Sequence, residues 1–223
     1  MNNAVLILGN SGTGKSTSIR NLPPEETFIL NIGGKPLPFR GSSKKYKKLS
    51  PDGMEGNYYC SDNPVQIKRI INLIDQKRPS IKYLILDDFG FMISNEFMRK
   101  SMIKGWDKFV EISKDFSDII SLVKSLRDDL FCFVTMHIDT DSQGMTKPRS
   151  VGKMIDQYVI PEAHFSYVFH TIVNDGNYRF ITNNDNFHMC KTPMGLFSEQ
   201  YIDNDMLMIA NKINEYNNED IEM

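Results

Sequence analysis

The chain has 223 residues, with 26 Lys plus Arg against 28 Asp plus Glu and a formal net charge of −2. That balance excludes a global positive field for wrapping nucleic acid, so any DNA contact must come from a local patch. Hydrophobic residues make up 40% and charged residues 24%, the proportions of an ordinary soluble protein long enough to bury a substantial core.

Cys60, Cys132 and Cys190 are far apart, cannot all pair internally, and show no CxxC spacing for zinc or redox work. A reducing compartment is the simplest reading. The apolar run at the start is too short for a signal peptide or membrane span and has no basic leader. No membrane partner is expected.

Ala4 to Leu8 reads AVLIL, a run suited to a strand buried on both faces. It leads directly into Gly9-Asn10-Ser11-Gly12-Thr13-Gly14-Lys15-Ser16, the full GxxxxGKS pattern of a P-loop. The glycine-rich turn can aim several N–H groups at phosphate oxygens, helped by the start of a helix expected from about Lys15 to Asn21. Lys15 is placed to reach the β and γ phosphates of ATP, and the Ser16 hydroxyl to hold Mg²⁺. Thr17 is read as a phosphate contact or a cap of the turn. Pro23-Pro24 ends the helix, and Thr27 to Ile32 reads as a second strand closed by Gly33-Gly34. This order implies a βαβ unit and a largely parallel sheet.

Residues 35–54 read as an irregular basic loop. Arg40, Lys44, Lys45, Lys47 and Lys48 surround Tyr46 with no acid among them, a pattern that can bind a phosphate backbone and stack a base. Tyr58 to Cys60 is read as a short strand or ligand-facing edge made of packing residues. Asp62-Asn63-Pro64 is a helix-start signal, followed by an apolar stripe of Val65, Ile67, Ile70, Ile71 and Ile74 that Pro79 stops.

Tyr83 to Asp88 reads YLILDD, four apolar residues that deliver a carboxylate from the carboxyl end of a buried strand, the Walker B pattern. Asp87 is expected to bind Mg²⁺ directly or through water, and Asp88 either to polarise the attacking water or to cap the next segment. Trp106 to Arg127 has the spacing of a long amphipathic helix, with Trp106, Phe109 and Val110 read as part of its core stripe rather than as a base-stacking platform. Leu130 to Met136 is another buried strand. Its end carries His137, the candidate γ-phosphate sensor or water-holding residue, with Thr135 as the alternative.

Asp139 to Ser150 reads as a mobile polar loop. Lys147 and Arg149, with Lys153 beyond, are candidates for contacting single-stranded DNA or a neighbouring subunit's γ-phosphate. Phe165 to Val173 and Tyr178 to Thr182 flank the turn signal Asn174-Asp175-Gly176-Asn177 and predict an antiparallel hairpin at one sheet edge. Asn204 to Tyr216 predicts a final helix, and residues 217–223 a frayed polar tail. The expected fold is thus a single α/β domain over residues 1–223.

The segments GNSGTGKST, YLILDDFGFM and RSVGKMIDQYVIPEAHFSYVFHTIV, with NYRF, CKTPMGLF and YIDNDM after them, carry a resemblance. The chain is similar to the RecA-like, AAA-type P-loop ATP-binding proteins of bacteriophage replication and recombination loci. The resemblance implies a RecA-like P-loop core, phosphate binding at Gly9, Gly12, Gly14, Lys15, Ser16 and Thr17, and magnesium at Asp87. It also implies work on single-stranded DNA in the host bacterial cytoplasm, assembly into rings or filaments, and a phage annealing protein, helicase or single-strand-binding protein as partner. The chain is much shorter than RecA and lacks an obvious glutamate soon after the second strand. Either Asp88 does that work, or turnover is slow and ATP binding acts as a switch, as in a loader. A small-molecule or nucleotide kinase is a third reading, for which no arginine-rich lid is evident.

Overall fold

In the computed structural model, which describes residues 3–149 and 159–218, one eight-stranded sheet carries the protein. Its strands are β1 (Ala4–Leu8), β2 (Thr27–Asn31), β3 (Tyr58–Cys60), β4 (Tyr83–Asp87), β5 (Phe131–Met136), β8 (Tyr167–Asn174), β9 (Asn177–Ile181) and β10 (Tyr201–Asp203). The order across the sheet is β10-β9-β8-β1-β5-β4-β2-β3. All neighbours from β8 to β3 pair in parallel, while β9 and β10 add an antiparallel edge, as the hairpin signal predicts. At that hairpin Asp175 and Gly176 both take positive φ, the twist a tight two-residue turn requires.

The apolar runs are continuous because both faces are covered. Ala4, Leu6 and Leu8 of β1 enter one core layer, and Val5 and Ile7 enter the other. The first layer is closed by helices α2 (Pro64–Lys77), α3 (Gly90–Arg99) and α4 (Asp107–Lys124). The second is closed by α5 (Met206–Asn218) and by the short helix that follows the P-loop.

Strand order sets the place of the site. The chain leaves β1 for β2 on one side, whereas β8 lies on the other side of β1. A reversal of this kind opens a crevice at the carboxyl ends of the strands. The parallel register aligns Leu8 with Met136, and Asn31 with Asp87, along that edge.

Several expectations need correction. The segment after the P-loop is a five-residue 3₁₀ helix, Thr17–Asn21, which starts two residues later than expected and ends ahead of Pro23-Pro24 as expected. Val65 is exposed, so the buried stripe of α2 is Ile67, Ile70, Ile71 and Ile74. Trp106 is 69% exposed, and Val110 is exposed too. Trp106 precedes α4, whose buried stripe begins only at Ile112. Residues 89–105, where the sequence predicts no element, contain α3. The segment expected as a mobile loop instead forms a small hairpin, β6 (Ile138–Thr140) with β7 (Thr146–Pro148). Asp141 organises its turn by accepting from the N–H groups of Gln143 and Met145. Within residues 35–54, Ser42–Lys45 form a single helical turn, α1. The last helix runs on through residues 217 and 218, and the rest of the expected frayed tail lies outside the described residues.

The cap of α2 gives a direct test of local sequence control. The Asn63 side chain accepts from the N–H groups of Val65 and Gln66. Asn63→Ala is expected to lower stability by about 1 kcal/mol, read as a shift of the urea unfolding midpoint at constant slope.

Candidate functional site

Three strand ends build the site. β1 leads into the P-loop, β4 ends at Asp87 with Asp88 after it, and β5 ends one residue before His137. Their side chains line a cavity of about 330 Å³, together with Ser11, Gly12, Gly14, Ser16, Thr17, Lys35 and Tyr178.

The P-loop is wedged against β8 and the segment before α5. Thr13 Oγ1 lies 2.6 Å from Thr171 Oγ1; one of the two hydroxyls donates to the other, whose own proton goes to a backbone carbonyl, that of Asn10 beside Thr13 or of Leu8 beside Thr171. A Cβ on Gly9 would stand 1.9 Å from Thr171 Oγ1. Gly14 has φ +101, and a Cβ there would meet the Tyr178 ring at 2.9 Å and the Asn204 amide at 3.0 Å. Both glycines are therefore steric requirements of the packing as well as of the turn. The Ser16 hydroxyl, which could have capped the following helix, is directed elsewhere. It donates to Asp87 Oδ1 at 2.8 Å across 71 residues of sequence.

Lys15 is buried, and its Nζ donates to the carbonyls of Gly9 and Asn10 at 2.9 and 2.8 Å. Burial pulls its pKa down to about 8, against the opposing pull of Asp88 and Asp87. A bound anion beside it would raise the pKa again. Asp87 is 4% exposed and also accepts from Thr135 Oγ1 at 3.0 Å. Desolvation, then the neighbouring Asp88 charge, push its pKa up to about 6.

Asp88 has φ +59, an uncommon backbone conformation for a non-glycine residue that turns its carboxylate into the cavity. Its N–H donates to Thr135 Oγ1, and its Oδ1 lies 3.2 Å from His137 Nε2. Burial pushes this carboxyl up, but the hydrogen bond and charge of His137, with Lys15 and Lys35, hold it below the usual range. His137 Nδ1 is 3.4 Å from Lys15 Nζ, and Phe91 meets the imidazole edge-on. Of the two residues proposed at the end of β5, His137 therefore faces the cavity. Thr135 is a fully buried bracket that positions both aspartates.

The predicted P-loop residues thus converge with Asp87, Asp88 and His137. The basic candidates do not join them. Arg40, Lys44, Lys45, Lys47 and Lys48 are exposed along residues 40–48, and Lys44 and Lys45 end the α1 turn. Tyr46 is only 6% exposed and packs edge-on against Phe39, so it offers no face for stacking a base. Lys147 is exposed on β7. Arg149 lies close to His137 but pairs with Asp139 at 2.7 Å. Lys153 lies outside the described residues. Sequence reasoning missed Thr171, Tyr178, Asn204 and Lys35, because their roles arise from contacts between distant parts of the chain and no local motif marks them.

The donor set fits magnesium bound with a nucleotide. Ser16 Oγ and Asp87 offer adjacent oxygens, and Mg²⁺ characteristically takes one or two protein oxygens plus phosphates and water. Among the described residues no group of three or more His, Cys, Asp or Glu side chains could hold a metal by itself, so phosphate oxygens would have to complete the shell. All three cysteines are free, and no helix among the described residues is long and apolar enough to cross a membrane. No family model matches the chain, and no curated protein matches its sequence.

Burial of Asp87 has a consequence for stability. With a folded pKa near 6 against an ordinary 3.8, the folded protein holds this proton more tightly than the unfolded chain. The contribution is fully present below about pH 4 and lost as pH rises through about 6. Asp87→Asn is expected to stabilise the protein at pH 7 by about 1–3 kcal/mol and to have a smaller effect near pH 4.5 in urea melts without nucleotide. The same substitution should weaken magnesium-dependent nucleotide binding.

Proposed function

We propose that this chain is a magnesium-dependent ATPase with a RecA-like P-loop core that acts on single-stranded DNA. The observation that carries this reading is the convergence of Lys15, Ser16, Asp87, Asp88 and His137 on one cavity from three strand ends. The six parallel strands, the helices on both faces and the antiparallel edge support the core assignment.

In this reading the N–H groups of residues 9–17 cradle the phosphates, and Lys15 exchanges its carbonyl partners for phosphate oxygens. Because only a short 3₁₀ helix follows, the loop and Lys15 supply this attraction with little help from a helix dipole. Ser16 and Asp87 would hold magnesium, which when bound would neutralise phosphate charge. Asp88 orients the attacking water, and His137 fixes the Asp88 carboxylate while lying beside Lys15. Catalysis is then mainly positioning and electrostatic stabilisation.

Arg40, Lys44, Lys45, Lys47 and Lys48 form the proposed contact with the DNA backbone, through charge alone. Arg149, near the site and exposed, is the candidate for a contact across a ring or filament interface. The phage recombination setting and an annealing protein, helicase or single-strand-binding partner follow from the sequence resemblance. One observation favours the alternative of a slow, nucleotide-switched loader: Asp88, the proposed base, is held ionised by His137 and nearby lysines, which makes it a weak proton acceptor.

Steady-state ATP hydrolysis tests the reading. Lys15→Ala is expected to reduce MgATP affinity or turnover by at least about tenfold, the loss of a charge-assisted phosphate contact. Unchanged values would refute the site. Single-stranded DNA is expected to stimulate hydrolysis more at low salt than at ~0.15 M. Joint replacement of Lys44, Lys45, Lys47 and Lys48 by Gln should reduce that stimulation and flatten its salt dependence. ATP binding without stimulation would instead favour the loader.

A further inference from the structure

Among the described residues Lys35 is the one lysine besides Lys15 that lines the P-loop cavity, and it belongs to no motif. Its backbone is fixed. The buried Asn31 side chain at the end of β2 donates to the Lys35 carbonyl at 2.6 Å and accepts from the Gly34 N–H at 2.7 Å. Its side chain is free to move, being 60% exposed. The ammonium lies 3.7 Å from Asp88 Oδ2 and 4.9 Å above the Phe91 ring. At that distance and exposure the ion pair with Asp88 is weak and readily exchanged.

Four polar groups form a row along this wall of the cavity. Lys15 Nζ is 3.4 Å from His137 Nδ1, His137 Nε2 is 3.2 Å from Asp88 Oδ1, and Lys35 approaches Asp88 Oδ2. A phosphate chain lying along the P-loop would bring its last group past Lys15 toward Asp88. A diphosphate stops short of that carboxylate, whereas a triphosphate sets a second anion against it. A second anion in a partly buried site needs a positive partner of its own, since Asp88 keeps His137. Arg149, the other nearby cation, pairs with Asp139 at 2.7 Å and does not line this cavity. Lys35 has the charge, the fixed base and the reach.

We propose that Lys35 is the terminal-phosphate sensor of this site: its ammonium leaves Asp88 for the γ-phosphate of a bound nucleoside triphosphate and returns to Asp88 when the diphosphate remains. The inference rests on the triphosphate-site reading above and deepens it. It gives the site a means of telling the two nucleotides apart from within one chain. Asp88 changes partners with the nucleotide state, keeping His137 in both and Lys35 in only one. A ligand shifts such a two-state contact only through its different affinity for the two arrangements, and the γ-phosphate supplies that difference.

The test is equilibrium binding of MgATPγS and MgADP to the full chain by calorimetry. Lys35→Met is expected to weaken ATPγS binding roughly tenfold, the worth of one charge-assisted contact, and to change ADP binding less than about twofold. Lys35→Arg should retain most of the triphosphate preference. A second comparison separates direct contact from simple neutralisation of Asp88. In an Asp88→Asn background, Lys35→Met should still cost triphosphate affinity if Lys35 touches the phosphate. Loss of the effect in that background, equal losses for both nucleotides, or no loss for either would overturn the proposal while leaving the nucleotide site intact. Wild-type protein that binds neither nucleotide would overturn the site reading and this inference with it.

Discussion

A carboxylate buried at the end of a central strand must be compensated, and the organisation of the site follows from how Asp87 meets that demand. Its Oδ1 accepts from Ser16 of the P-loop and from Thr135 of β5, so one side chain ties three strand ends together. Without those two donors its desolvation would be uncompensated. With them, the P-loop, the Asp87–Asp88 turn and β5 are held in a single register. The parallel pairing of β1, β5 and β4 makes this possible by aligning their carboxyl ends along one edge.

Around that anchor the charges alternate in sign. Lys15 sits by two carbonyls and a histidine, and Asp88 sits by that histidine and a second lysine. Burial lowers the Lys15 pKa and raises that of Asp87, so each holds its charge at a cost. A site in that condition favours a ligand that brings anionic oxygens to Lys15 and a cation to Asp87. A magnesium–nucleotide complex does both at once.

The surface tells a different story from the core. The basic candidates at residues 40–48 are exposed as charge patterning alone would place them, but Tyr46 among them turns inward. Trp106, read from its spacing as core, stands outside with Met98, Met102, Ile103 and Val110 around the α3–α4 connection. In both cases helical spacing and local composition gave no account of which face would find a partner. Tyr46 is drawn in by Phe39 and the second core layer, and Trp106 lies ahead of the first buried turn of α4.

Local chemistry dictated what was legible in the chain itself. Glycines at close-approach positions, the apolar runs that end at the P-loop, Asp87 and His137, the Asp62-Asn63-Pro64 helix start and the Asp175-Gly176 turn all act over a few residues, and each recurs in the structure. They were enough for an α/β chain with a mostly parallel sheet, and for the strand ends after which Lys15 and Asp87 are found. Contacts across long sequence separations decided the rest. Thr171 and Thr13 are 158 residues apart, yet together they pin the P-loop. Asn204 packs on Gly14, Thr135 brackets both aspartates, and Lys35 meets Asp88 only because β2 lies beside β4. Strand order, which fixes those meetings, depends on how the whole chain covers both faces of its sheet, and no local window of sequence carries that information.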